Sequence, residues 1–183
     1  RHEGMVAAIA FESVVKLLAF LAVGIYVTFW LYDGFGDLYA RALQHPELAS
    51  LLVFDGTGRI GYGGWFAHVL LAMLSVIFLP RQFQIAVVEN VNEQHLRRAT
   101  WVFPAYLLAI NLFVIPIALG GLLHFGKGTV DPDTFVLTLP LAHDNAALAL
   151  FVFIGGLSAA TGMVIVEAIA LSTMVCNDLV MPM

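Results

Sequence analysis

Between Lys16 and Asp33 the chain carries no charge at all, and residues 60–80, 99–125 and 145–166 share that property. A transmembrane helix needs about 20 mostly apolar residues. Backbone polar groups in lipid must be satisfied internally, so runs of this length read as helices. Extending each run to the limits of its apolar pattern gives spans at 5–32, 64–91, 99–125 and 145–176. The fourth is long enough to require tilt or a protruding end. None alternates as a transmembrane β-strand would. Composition agrees: hydrophobic residues make up 61% and charged residues 11%, against roughly 45–50% and 25% in soluble domains. A water-soluble globule and a disordered chain are both excluded. The expected class is an all-α integral membrane protein with four transmembrane helices in the lipid bilayer.

With 8 Lys+Arg against 13 Asp+Glu the formal net charge is −5, so nucleic acid is not an expected partner. The lone Cys176 excludes a disulfide framework and a multi-cysteine metal site. The short connection 92–98 carries Arg97 and Arg98, whereas the long connections 33–63 and 126–144 are net acidic. The positive-inside rule therefore puts the short connection and both chain ends in the cytoplasm. Within the long connections, residues 38–43, 48–54 and 133–141 are apolar patches, readable either as interfacial or re-entrant helices or as ordinary loops with buried anchors. The chain opens at Arg1 without an initiator Met and stops at Met183 directly after an apolar segment. The expectation is an excerpt of a longer transmembrane domain.

Ionisable side chains at membrane depth are costly and usually face a partner or a cavity. Glu12 and Lys16 stand four apart on one helix face and can pair. Arg81, Glu89 and Glu167 are further charges at such depth, and Glu12, Lys16 and Glu89 are expected in buried ion pairs. The most informative stretch is Leu79-Pro80-Arg81-Gln82-Phe83-Gln84. Proline frees carbonyls of the preceding turn, and an arginine and two glutamines stand beside that break. Broken helices of this kind build midplane sites in secondary transporters. Pro80, Arg81, Gln82, Phe83 and Gln84 are thus the candidate solute-binding residues. A kink with a snorkelling arginine is the structural alternative.

The run Gly155-Gly156-Leu157-Ser158-Ala159-Ala160-Thr161-Gly162 gives a small-residue face for close helix approach. Ser158, Ala159 and Thr161, with Glu167 one turn beyond the run, are the candidates for ion or proton coupling. In span three, Asn111 suits an interhelical hydrogen bond. His68, His124 and His143 are expected near the outer surface, where interfacial histidines are commoner than haem ligands. No nucleotide-binding loop, dinucleotide fingerprint or zinc-protease helix is present, so no enzyme, no cofactor and no metal are expected.

Taken together, Arg1-His2-Glu3-Gly4, Ala7-Ala8-Ile9-Ala10-Phe11-Glu12-Ser13-Val14-Val15-Lys16, Leu79-Pro80-Arg81-Gln82-Phe83, Val87-Val88-Glu89-Asn90 and the ending Asn177-Asp178-Leu179-Val180-Met181-Pro182 resemble one branch of the sodium:solute symporter family. That branch is the transporter-like domain of CbrA-type sensor histidine kinases. The resemblance implies a LeuT-like fold of two inverted five-helix repeats, with this chain supplying core helices five to eight. The partners it implies are the remaining transmembrane helices of the same polypeptide, a small polar solute such as an amino acid, and a cytoplasmic kinase domain. The location is the plasma (inner) membrane. It further implies either secondary transport or solute sensing without flux. Symporters of the family carry two adjacent hydroxyls on core helix eight to bind sodium; here Gly162 and Met163 stand at those positions, with Thr161 one place away. Sodium is a possible coupling ion that lacks its expected ligands. A proton on Glu167, Glu12 or Glu89 is the alternative, because buried carboxylates bind protons more readily.

Overall fold

Helix α1 (Glu3–Tyr26) runs on through a π-helical turn at Val27–Leu31. Gly34, in the left-handed region at φ 98°, then donates its N–H to the Thr28 carbonyl at 2.8 Å and turns the chain away. This computed structural model describes residues 3–53, 61–88, 90 and 92–181, and among them there are helices and turns but no strand. Two short helices follow, α2 (Phe35–Leu43) and α3 (Pro46–Ala49), and then α4 (Gly61–Phe78) and α5 (Pro80–Phe83) with a π-helical turn at Gln84–Val88. The long α6 (Glu93–Phe125), α7 (Phe135–Ala142) and α8 (Ala146–Val175) complete the fold. Asn92 and Asn145 start α6 and α8 by accepting from the Gln94 and Leu148 N–H groups at 2.9 and 3.1 Å, which satisfies one orphan donor of each first turn.

Among the described residues, three helices are long and apolar enough to cross a membrane: Val6–Leu31, Gln94–Phe125 and Ala146–Val175. At 30 residues, α8 extends about 45 Å, more than a bilayer core of about 30 Å. The surface of the bundle fits lipid. Phe11, Trp30, Trp101, Leu108 and Val164 are all at least 65% exposed, an arrangement that water would penalise and hydrocarbon favours. Trp30 and Trp101 stand at opposite ends of the bundle, as interfacial aromatic belts do. The expected second span, 64–91, is divided at Leu79 into α4 and α5.

Small residues set the packing. Ala19 and Gly155 meet where α1 crosses α8, and Glu12 meets Gly162 further along, so the two helices are antiparallel. Tyr106 reaches Ser13, and Phe113 lies over Gly24, so α6 runs parallel to α1. The core gathers Val23, Val27, Phe113, Ile117, Phe135, Leu139 and Val152 at the end where α1 and α6 finish and α8 begins. The apolar patches at 38–43 and 133–141 are helical: α2 buries Leu38 and Ala42 against Leu119 of α6, and α7 seats Phe135 over Gly121. In the patch 48–54, Leu48 joins the same cluster.

Outside the bundle, Arg41 donates from Nε to both carboxylate oxygens of Asp37 at 2.9 Å and lies 5.5 Å from the centre of the Tyr32 ring. That hydrogen bond holds the Asp37 carboxyl below its usual value. A folded value depressed in this way adds stability above the unfolded value and loses it as pH falls through the folded one. The Asp37–Arg41 contact is therefore expected to persist from neutral pH to below the usual carboxylate midpoint. An NMR titration of the Asp37 carboxyl carbon checks this, and an unshifted midpoint would contradict it.

Candidate functional site

The helix break follows from one missing donor. Pro80 has no N–H for the carbonyl four residues before it, and its ring crowds that turn. Leu79 still donates to the Ser75 carbonyl at 3.1 Å, and Gln82 and Phe83 start a new turn on the Leu79 carbonyl at 3.0 and 3.1 Å. Helix α5 lasts one turn before the π-helical segment begins, and it packs on α8. In this segment Gln84 is buried, Gln82 is partly buried and Phe83 is exposed. The side chain of Arg81 and the whole of Glu89 lie outside the described residues, so their expected roles in solute binding and ion pairing are neither placed nor excluded.

A cavity of about 270 Å³ opens beside α5, walled by α1, α6 and α8. It brings together Glu12, Ser13 and Lys16 from α1, Gln82 from α5, Tyr106 from α6, and Ser158, Ala159, Gly162 and Met163 from α8. Oxygen Oε2 of Glu12 is buried without a hydrogen-bond partner. Its carboxylate lies against Gly162 so closely that a Cβ there would collide with Oε2. A buried, unpartnered carboxylate oxygen costs free energy, and such groups concentrate at functional sites.

The i,i+4 ion pair expected between Glu12 and Lys16 is not formed among the described residues. The physical reason is the neighbour across the interface: the missing side chain at Gly162 leaves a slot on α8 that the carboxylate enters, which turns it from its own helix face. Lys16 lines this cavity and also a second one of about 420 Å³ between α1, α7 and α8. Both cavities have Ala159 in their walls.

The coupling candidates separate. Ser158 and Ala159 line the cavity, whereas Thr161 is exposed and donates its hydroxyl to the Leu157 carbonyl of its own helix at 2.9 Å. Glu167 is exposed on α8 and is not among the lining residues. Pro80 creates the break without lining the cavity. Asn111 donates to the Leu107 carbonyl of its own helix at 2.8 Å rather than to a neighbouring helix.

Two contributors were not singled out from sequence. Tyr106 donates its hydroxyl to the Ser13 carbonyl at 3.1 Å. Ser13 in turn donates to the Ile9 carbonyl at 2.9 Å. The available signal was a tyrosine at mid-depth in an apolar run, where its hydroxyl must find a partner.

Chemically, the cavity places an acid, a base, an amide and a hydroxyl within one small volume. Such a set can hold a small zwitterion, with opposite charges matched to its two ends. Among the described residues, no three His, Cys, Asp or Glu side chains gather into a metal-binding group. No protein-family model matches the chain, and neither does any curated protein or solved structure.

Proposed function

We propose that the chain is part of a secondary-transport domain for a small polar solute of the amino-acid class, working by alternating access and coupled to proton movement through Glu12. The observation that carries this reading is the α1–α5–α8 cavity, where a helix break meets an unpartnered buried carboxylate. Its volume of about 270 Å³ suits a metabolite smaller than the ligands that fill pockets of about 300–1,000 Å³. The resemblance to the transporter-like branch of the sodium:solute symporter family supports the same reading. On it the fold is LeuT-like, α1 to α8 furnish core helices five to eight, and the segment 64–91 is the second of four spans. Remaining helices of the same polypeptide complete the bundle, both ends of this segment face the cytoplasm across the inner membrane, and a cytoplasmic kinase domain is the downstream partner.

Glu12 is preferred to sodium for a chemical reason. Gly162 has no side-chain oxygen, Met163 has only a soft thioether, and the Thr161 hydroxyl is exposed and does not line the cavity. Hard cations need oxygen ligands.

The test is binding and uptake of a panel of radiolabelled amino acids by the full-length polypeptide in liposomes. Gln82→Ala is expected to weaken binding of the recognised solute about 10-fold, the loss of one hydrogen bond to a charged group. Unchanged affinity would remove Gln82 from the site. Binding without flux would replace transport by the solute-sensing reading.

A further inference from the structure

Helices α6 and α7 bring two histidines from distant points of the chain to one place. His124 lies in the last turn of α6, and His143 is the residue that caps the end of α7. Aromatic packing fixes that encounter: Phe125 stacks on Phe135 with ring centres 5.8 Å apart, and Phe135 lies over Gly121. The turn beyond His143 is also tied down. Asn145 donates its N–H to the Pro140 carbonyl at 2.9 Å, Asp144 holds a left-handed φ of 54°, and the Asn145 side chain caps α8. The two imidazoles meet with ring centres 4.7 Å apart and planes inclined at 47°. Both side chains are exposed, and neither makes a hydrogen bond among the described residues. Their ring nitrogens are therefore free to bind a ligand from solution.

We propose that His124 and His143 form a two-histidine site for a divalent transition-metal ion of the zinc, nickel or copper class. Neutral imidazole suits these ions, whereas calcium and magnesium select oxygen. A metal about 2.0–2.1 Å from one nitrogen of each ring puts the two ring centres about 5 Å apart, close to the spacing that α6 and α7 already impose. No larger metal-binding group gathers among the described residues, so the remaining coordination positions fall to water. The bound ion ties the end of α6 to the α7–α8 turn. This site is separate from the α1–α5–α8 cavity and does not rest on the transport reading.

Copper(II) titrated into the untagged full chain in detergent micelles, followed by electron paramagnetic resonance, tests the proposal. The expected spectrum shows hyperfine coupling to two imidazole nitrogens. His124→Gln and His143→Gln are each expected to lose one of them, and also to lose the zinc-dependent rise in melting temperature. His68→Gln retains both signatures, because His68 lies on α4, outside the encounter of His124 with His143. A single-nitrogen spectrum from the unmutated chain overturns the site without requiring that any variant fold. Retention of the two-nitrogen spectrum in either the His124 or the His143 variant overturns it equally.

Discussion

Gly155→Leu is expected to destabilise the bundle by about 1–3 kcal/mol, the usual penalty for forcing extra atoms into a packed interior, while Gly156→Leu costs nothing measurable. The two glycines are neighbours in sequence and opposites in environment. A Cβ at Gly155 would stand 2.5 Å from the Ala19 Cβ, with the Lys16 Cα and Val15 carbonyl close behind, whereas nothing lies within 4 Å of one at Gly156. Neither Ala19 nor the α1 backbone can rotate away, so the helices must separate. Separation at Ala19–Gly155 also draws Glu12 off Gly162, since both contacts belong to one α1–α8 crossing. Thermal unfolding of the two variants in detergent checks the prediction. Equal stabilities would mean that α1 and α8 do not approach as closely as described.

A second large effect is expected at Glu12. Glu12→Met replaces a carboxylate with an apolar side chain of similar length, and is expected to abolish proton-driven uptake while leaving stability unchanged or raising it by about 1 kcal/mol. The gain arises because Oε2 is buried with no partner. A carboxylate held for structure, in an ion pair with Lys16, would behave in the opposite way: its removal would strand the lysine and lower stability. Uptake and melting temperature measured on the same preparation separate the two roles. Loss of stability together with retained uptake would remove Glu12 from the mechanism.

The helical, membrane-compatible class was legible because hydrocarbon imposes its requirement over whole segments. The charge-free runs from Lys16, from Arg98 and to Glu167 leave no other way to satisfy the backbone. The interruption at Leu79 was legible for a local reason, the missing N–H of Pro80. The candidate site was legible in its residue types but not in their partners. Spacing puts Glu12 and Lys16 on one face of α1, yet whether they pair depends on what α8 presents opposite them, and Gly162 presents a slot. Ser158 and Thr161 stand three apart, close enough in angle to suggest a shared role. The rotation of α8 against α1 puts Ser158 at the cavity and leaves Thr161 exposed. The meeting of His124 with His143 depends on how α7 docks, which Gly121 and Phe135 decide by shape rather than by periodicity.

Solute uptake driven by a proton gradient tests the central claim most directly. The full-length polypeptide in liposomes is assayed with an accepted amino acid in choline and in sodium buffers at matched membrane potential, each with and without an inward proton gradient. Proton coupling through Glu12 predicts uptake in choline that rises with the proton gradient and does not respond to sodium. Steep sodium dependence with no response to the proton gradient would contradict it.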